Sequence, residues 1–395
     1  MEPLTHFLTG ACIGRAGFNR KTAYATVAAV LAAEAADLDV LWGMSGPVEE
    51  LKHHRGITHT FIGAPVVAGA VVGAVWLFHR WRVRRSSRLA SQRAGESANK
   101  ATAGSSTSGA AQPPLRRTGE EVRWGWLYLT ALVAAYSHIL LDWTNNYGVR
   151  PFYPFNPRWY AGSLMFIVEP VMLGLLLLAL GMPWLLGLAD REIGVRKQPF
   201  RGRGWAIFAL AGMTALGVWR WTERSDALQM LQQTQVTTAP VTRMALEPYP
   251  VNPYHWHAIL ETPQYYQTAE VHTNTAAAAG IETDPATDIL YKPQDTLAVE
   301  AAKRSFLGRV YLDWGWWAVV RDVGPEAVPG VPPPVLPPSQ KWTTVVFNDL
   351  RFNYSLLNRG NGASRSPLGG WVYIVDGQEE AAEGMGSREQ TPPSP

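Results

Sequence analysis

The chain has 395 residues, which is long enough for two domains, and its formal net charge is only +3. Net charge alone therefore indicates no strongly charged partner such as a nucleic acid. The single cysteine, Cys12, excludes an internal disulfide framework. The first residues carry no basic group ahead of their apolar stretch, which argues against a cleavable signal peptide.

Long apolar segments fill the first half of the sequence. A membrane span needs roughly 20 mostly apolar residues. We predict up to five spans, at residues 22–42, 61–78, 124–141, 164–189 and 205–219. Ahead of them, Pro3–Ala16 is too short to span and is predicted to be a partial or tilted helix in a hairpin with the next. The alternative, buried helices of a soluble all-α domain, is disfavoured because these runs carry so little charge.

Two arginine-rich segments predict the orientation of these spans. The positive-inside rule places residues 79–123 and 190–203 in the cytoplasm. Residues 43–60, residues 143–163 and the part after residue 222 are then extracytoplasmic. Within the first basic segment, low-complexity sequence predicts a disordered loop.

The composition changes after residue 222. Residues 223–377 are rich in β-branched and aromatic residues punctuated by glycine, proline and asparagine, which predicts a β-rich domain. The tail, residues 378–395, is acidic and then polar and is predicted to be disordered. The predicted fold class is therefore α+β, with a helical membrane bundle over residues 1–222 and a small β-rich domain outside the membrane.

Acidic and imidazole side chains from distant segments converge on the extracytoplasmic ends of the predicted spans. His138 and Asp142 are four residues apart, so they share one helix face. A glycine between His54 and His59 permits a tight turn. Neutral imidazoles and carboxylates together suit zinc, manganese or iron. The sequence therefore predicts a site for one or two divalent ions, with candidate ligands Asp37, Asp39, His54, His59, His138 and Asp142.

Three residues of the same layer are candidates for a catalytic role. Glu169 or Asp39, if not bound to metal, can act as a general base. Arg55 can bind an anionic substrate oxygen, because its guanidinium group matches phosphate. An equally weighted alternative for Arg55 is a structural ion pair with Asp37 or Asp39.

Other polar residues nearby leave alternatives open. Glu34, one turn before Asp37, either supports the site or pairs with a basic residue elsewhere. Residues 145–147 either line the site or form a turn, and His53 is interpreted as a loop residue. His255 and His257 alternate as in a strand, and a place on a strand surface is the favoured interpretation.

Five fragments in this order resemble the YdjM-like family of inner-membrane, metal-dependent hydrolases, also described as LexA-binding: "PLTHFLTGACIGRAGF", "AADLDVLWG", "HHRGITHTFIG", "SHILLDWTNNYGVRPFYPF" and "WYAGSLMFIVEP". The resemblance covers about residues 1–190 and implies a bacterial inner-membrane location. It adds His6 to the candidate metal ligands. Ala36 departs from the family, which often has proline there, and Glu169 stands where the family has aspartate.

The residues and the resemblance together predict a membrane-bound metal-dependent hydrolase that uses a metal-activated water. The His-x-x-x-Asp element is also similar to that of zinc-dependent phospholipase C-like enzymes, a likeness confined to this motif. The place of the site at the level of the outer lipid headgroups favours a lipid-linked or phosphodiester substrate. Membrane lipid is the expected partner, no nucleic acid is expected for the helical domain, and no partner is assigned to the β-rich domain. The alternatives are a metal-binding transporter or sensor without hydrolytic activity, and an inactive anchor for the β-rich domain.

Overall fold

The computed structural model describes residues 1–102, 121–192, 202–276, 280–284, 286–354 and 368–390. In this described part, an N-terminal helical bundle precedes two antiparallel sheets, so the predicted α+β class is confirmed. The helices are α1 (Pro3–Ala16), α2 (Ala25–Glu34), α3 (Pro47–His53), α4 (Gly63–Thr102), α5 (Trp124–Thr144), α6 (Pro170–Glu192), α7 (Arg203–Gln233), α8 (Leu297–Arg304) and α9 (Phe306–Trp314).

Both sheets of the described C-terminal part contain five strands. The first has the order β1-β2-β3-β4, with β5 also paired to β3, and the second has the order β10-β9-β8-β7-β6. The strands are β1 (Arg243–Pro248), β2 (His255–Glu261), β3 (Tyr265–His272), β4 (Ile281–Glu282), β5 (Ile289–Tyr291), β6 (Ala318–Asp322), β7 (Trp342–Asp349), β8 (Gly370–Val375), β9 (Glu379–Met385) and β10 (Arg388–Glu389). Helices α8 and α9 pack on the second sheet, with Leu307 and Tyr311 buried in its core.

Helices α1 and α2 form the predicted hairpin because small residues let their backbones approach closely. A Cβ atom on Gly10 would lie 2.7 Å from the carbonyl oxygen of Ala29, and one on Gly14 would lie 2.5 Å from Cα of Thr26. Such close packing of small residues is typical of helices in membranes. It brings the first turn of α1, with His6, to the C-terminal end of α2.

Three helices of the described residues are long and apolar enough to cross a membrane: Gly63–Gln92, Trp124–Thr144 and Pro170–Ala189. They correspond to three of the five predicted spans. The predicted continuous span over residues 22–42 was wrong, because α2 has only 10 residues, about 15 Å, before a 3-10 helix at Ala35–Ser45. The fifth predicted span lies inside α7, which is not one of the three helices that are both long and apolar enough to cross a membrane.

The predicted domain boundaries also differ from the structure. Helix α7 continues through residue 222 to Gln233, and α4 extends through residues 79–102, part of the segment predicted to be disordered. The tail prediction was wrong for residues 379–389, which form β9 and β10. Residues 103–120 and 391–395, for which disorder was also predicted, lie outside the described residues.

The β-rich domain is joined to the bundle at the end that carries the predicted site. Arg351 Nη1 donates a 2.9 Å hydrogen bond to the carbonyl oxygen of Asn146, and Asn146 Nδ2 donates to the Tyr354 hydroxyl at 2.8 Å. Farther along, Gln390 Oε1 accepts a 2.9 Å hydrogen bond from the backbone N–H of Val48 at the start of α3. Through these buried contacts the β-rich domain covers the loop that follows α5.

Candidate metal centre

Four side chains from three segments place one potential ligand atom each within 4.8 Å of one another. Asp37 comes from the 3-10 helix after α2, His59 from the turn before α4, and His138 and Asp142 from α5. We refer to Asp37, His59, His138 and Asp142 as the ligand cluster. Its members come from segments that the sequence predicted to converge at one end of the bundle.

The spacing inside the ligand cluster matches a four-coordinate ion. Five of the six distances among the facing atoms lie between 2.9 and 3.5 Å. Zinc bonds to nitrogen and oxygen of about 2.0–2.1 Å would separate neighbouring ligands of a tetrahedral site by about 3.3–3.4 Å. The residues present therefore fit a divalent ion of this kind in number, chemistry and spacing.

The two imidazoles of the cluster turn unprotonated nitrogens toward each other. His138 Nδ1 lies 2.6 Å from the carbonyl oxygen of Ala33, which can only accept, so Nδ1 carries the hydrogen. His59 Nδ1 lies 3.3 Å from Oδ2 of Asp39 and is oriented in the same way. The two Nε2 atoms are then 2.9 Å apart with facing lone pairs. Such a pair is repulsive unless a metal ion or a shared proton lies between the nitrogens.

Asp39, predicted as a ligand and as a base, lies behind His59 rather than in the ligand cluster. Besides His59, its carboxylate contacts His54 Nδ1 at 3.3 Å and accepts a 2.7 Å hydrogen bond from the backbone N–H of Arg55. Carboxylates that hold a metal-binding imidazole in this way fix its tautomer and ring orientation. The structure thus places Asp39 as the group that aims His59, and places His54 on the far side of Asp39.

His6 lies against the cluster without sharing its centre. Its ring stacks on His138 with a centroid distance of 3.8 Å, and its Nε2 lies 3.4 Å from Oδ1 of Asp142. That same oxygen contacts the amino group of Met1 and the Arg55 guanidinium group, whereas Oδ2 of Asp142 faces the two imidazoles. Because two cationic groups already surround Oδ1, the geometry favours one ion in the cluster over a second ion beside His6.

Arg55 is buried among groups of the protein rather than directed at an open anion site. Its guanidinium group donates to Asp142 Oδ1 at 2.9 Å, to the Gly148 carbonyl at 2.7 Å and to Asn145 Oδ1 at 3.3 Å. Its backbone has φ = 53°, in the left-handed region. The structural alternative predicted for Arg55 therefore has the right kind of contact, but the partner is Asp142 and not Asp37 or Asp39.

Glu169 belongs to a different set of contacts. Its Oε1 accepts a hydrogen bond from the backbone N–H of Val171 at the start of α6, at 3.4 Å, and its charge interacts with that of Arg220. Glu34, in contrast, interacts electrostatically with Asp37 and His138, and its buried Oε1 has no hydrogen-bond partner among the described residues. Glu34 also has a hydrogen bond with the backbone of Phe7, but its Oε1 remains available beside the cluster.

The remaining histidines lie outside the cluster. His53 stacks on Trp42 and contacts Glu49 at 3.2 Å. His255 and His257 are on β2 and contact Glu270 on β3, at 2.7 and 3.4 Å. They share one face of the first sheet, as their alternation in the sequence predicts, but the favoured place on a strand surface was wrong for His257, which is buried.

The loop after α5 forms a turn that also supports the site, so both interpretations of residues 145–147 hold in part. Asn145 Oδ1 accepts hydrogen bonds from the backbone N–H groups of Tyr147 and Gly148. The sequence did not indicate Arg351, which holds this loop from the β-rich domain. No local motif marks Arg351, because its partner lies 205 positions away in the chain.

Comparison with known proteins identifies the family of the helical part. A family model described as YdjM inner membrane protein matches residues 1–227. The match includes the four residues of the ligand cluster and ends before the first strand. No curated protein and no solved structure matches the chain.

Proposed function

The chain belongs to the YdjM inner membrane protein family, and we propose that it is a membrane-bound metal-dependent hydrolase whose ligand cluster holds one divalent ion. The observation that carries the proposal is the pair of facing Nε2 atoms of His59 and His138, 2.9 Å apart and flanked by two carboxylates. Two nitrogens and two oxygens suit zinc best, with manganese or iron as alternatives.

The protein groups around the ion have separate tasks in this proposal. A bound divalent ion supplies Lewis acidity and lowers the pKa of a water molecule toward neutrality. Asp39 and the Ala33 carbonyl hold the two imidazoles in the tautomer that leaves Nε2 free to bind. Arg55 offsets the charge of Asp142 and keeps its Oδ2 directed into the cluster.

Glu34 is the general base that this geometry favours over Asp39 and Glu169. Asp39 already contacts two imidazoles and a backbone N–H, and Glu169 interacts with Arg220. Glu34 lies beside Asp37 with an unpaired oxygen. In hydrolysis of a phosphodiester, the water oxygen would bond to phosphorus, the ester P–O bond would break, and Glu34 would pass the proton from water to the leaving alcohol.

The proposed substrate is a phosphodiester, lipid-linked because the site lies at the ends of membrane helices. His59 lies just before the candidate span of α4, and His138 and Asp142 lie in the last two turns of α5. We further propose that this end of the bundle and the β-rich domain are extracytoplasmic, as the basic segments at the other ends of α4 and α6 indicate. Reporters fused at residues 49 and 326 would test this orientation.

A metal-binding transporter or sensor is the second candidate. The observation in its favour is the burial of His59, His138 and Asp142, which would suit an ion that is held rather than used. A shared proton could also relieve the repulsion between the imidazoles, as in an inactive anchor. Metal content and hydrolysis together separate these possibilities.

The test uses the full chain purified in detergent, stripped with chelator and reloaded with zinc or manganese. We expect one ion per chain and hydrolysis of bis(p-nitrophenyl) phosphate or of phospholipid in mixed micelles. His138→Ala and Asp142→Asn should lose both properties, whereas His257→Ala, a buried histidine of β2, should keep both. Bound metal without hydrolysis of any substrate class would favour the transporter or sensor, and absence of metal would favour the anchor.

A further inference from the structure

The ligand cluster is exposed on one side only. The side chains of His59, His138 and Asp142 are at most 1 % exposed, whereas that of Asp37 is 22 % exposed. A molecule that reaches the cluster must therefore approach past Asp37. The surface next to Asp37 accordingly determines which kind of molecule can enter.

That surface is apolar. In the 3-10 helix that carries Asp37, Leu38 is 61 % exposed, Leu41 59 % and Met44 88 %. From α1, the side chain of Phe7 is also exposed, and its backbone is hydrogen-bonded to Glu34 beside the cluster. Exposed apolar side chains thus lie on two sides of the opening.

The apolar surface is continuous with a membrane-spanning helix. Around the cluster residue His59, the side chains of Ile57, Phe61 and Ile62 are exposed, and α4 with its candidate span begins at Gly63. The outward-facing side chains of a membrane span contact lipid hydrocarbon. The segments on either side of the opening therefore extend the lipid-facing surface to the ligand cluster.

On the side away from the membrane, the loop that follows α5 and the β-rich domain cover the cluster. Asn145, Asn146 and Tyr147 are buried, and Asn146 is hydrogen-bonded to the buried Arg351 and Tyr354. Among the described residues, these contacts cover this loop on the side of the β-rich domain. The exposure of Asp37 on one side and the coverage by the β-rich domain on the other both indicate entry from the side of the lipid.

We propose, resting on the function proposed above, that the substrate is a glycerophospholipid of the surrounding bilayer whose headgroup enters the ligand cluster sideways past Asp37. Leu38 and Leu41 contact the acyl chains next to the headgroup. The phosphodiester enters the ligand cluster past Asp37 and lies beside Glu34. The lipid then remains in its leaflet, because only the headgroup has to move to reach the cluster.

The opening can be located without measuring catalysis. In the full-length protein with the substitutions Cys12→Ala and Leu41→Cys, the new thiol is labelled with a fluorophore in vesicles of phosphatidylethanolamine and phosphatidylglycerol. We expect at least threefold stronger quenching by lipids with a nitroxide near the headgroup than by an aqueous quencher. A label at Lys52, a partly exposed charged residue of α3, should show the opposite order. Equal behaviour of the two labels would overturn the lateral opening.

The substrate class is tested on the zinc-loaded protein with phosphatidylglycerol vesicles. We expect Leu41→Gln to raise KM about tenfold and to leave kcat within twofold, because its role is contact with the acyl chain. Val335→Gln, an equally apolar position that is fully exposed in the β-rich domain, should match the unchanged protein. Equal kinetics of the two variants would overturn the assignment. Loss of hydrolysis on every substrate would instead refute the proposed function, while the quenching experiment still decides the direction of the opening.

Discussion

Arg55 Nη2 donates a 2.9 Å hydrogen bond to Oδ1 of Asp142, while Oδ2 of the same carboxylate lies 3.3 Å from His138 Nε2. One carboxylate therefore connects a buried arginine to the ligand cluster. Because each oxygen of Asp142 has its own partners, the position of Arg55 and the binding of an ion are expected to be energetically coupled.

Arg55→Lys tests this coupling. Lysine keeps the positive charge but cannot reach Asp142, Asn145 and Gly148 together, so buried acceptors lose partners. Hydrogen bonds to charged groups contribute ~1.5–3 kcal/mol each, and we expect the free energy of unfolding to fall by about that amount. Affinity for zinc should fall roughly tenfold. Thermal unfolding and chelator competition measure the two effects.

Arg304→Lys serves as the control for that experiment, since Arg304 is exposed on α8. An Arg55→Lys protein with the stability and zinc affinity of the control would contradict a structural role for the forked contacts.

Asp39→Asn tests whether Asp39 orients the imidazole ring of His59. The amide still offers one oxygen, but it has no charge and its NH₂ group opposes the N–H groups of His54, His59 and Arg55. Loss of such a partner of a metal-binding imidazole typically costs 10–100-fold in metal affinity. We expect a reduction in this range, measured by competition with a chromogenic chelator. Asp226→Asn, at an exposed position of α7, should leave the affinity unchanged; an equal affinity of both variants would show that Asp39 does not orient His59.

Arg351→Met tests the contact between the β-rich domain and the loop that follows α5. Arg351 and Asp349 form a fully buried ion pair with a distance of 2.9 Å, and removal of one partner from such a pair costs about 3–5 kcal/mol. We expect a large loss of stability in chemical unfolding. The double variant with Asp349→Leu should be less destabilised, because no buried charge is left without its partner. A double variant as unstable as the single one would rule out the ion pair as the cause.

Glu270 predicts an acid-sensitive step in the β-rich domain. Burial alone would raise the pKa of Glu270, but the contacts with His255 and His257 outweigh burial and lower the pKa to about 2. A carboxylate with a depressed pKa stabilises the fold above its ordinary pKa, and this contribution is lost as the pH falls toward the folded value. Between about pH 4.5 and pH 2, the unfolding temperature should therefore decrease.

Glu270→Gln should flatten this dependence over the same pH range, as measured by thermal unfolding at a series of pH values. Glu282→Gln, at an exposed neighbouring position on β4, should retain the slope of the unchanged protein. A slope that survives in Glu270→Gln would assign the acid sensitivity to other groups.

The sequence predicted the chemistry of the site better than it predicted the local backbone that positions the site. His138 and Asp142 follow from helical spacing alone, because residues four apart share one face. The 3-10 helix at Ala35–Ser45 could not be predicted, since the alanine-rich segment contains no helix-breaking residue before Gly43. That change of helix type is what allows Asp37 to enter the cluster while Asp39 stays behind His59.

The role of the β-rich domain depends on contacts that are distant in sequence. Arg351 and Gln390 join the bundle through partners at 205 and 342 positions' separation, and neither lies in a motif. The acidic residues of β9 suggested a disordered tail, but its last residues, including Glu383, are buried against the sheet. Tertiary burial, which composition does not reveal, decides both cases.

The left-handed backbone of Arg55 has a consequence for how this protein can change. A residue with a side chain tolerates that conformation at a cost of roughly 1–2 kcal/mol, and glycine, the residue at position 56, would adopt it more easily. A shift of the arginine by one place would relieve the main chain and misdirect the guanidinium group. That cost is smaller than the ~1.5–3 kcal/mol expected from even one of the guanidinium contacts, so variants selected only for thermal robustness are expected to keep this arginine, and with it the connection on which ion retention depends.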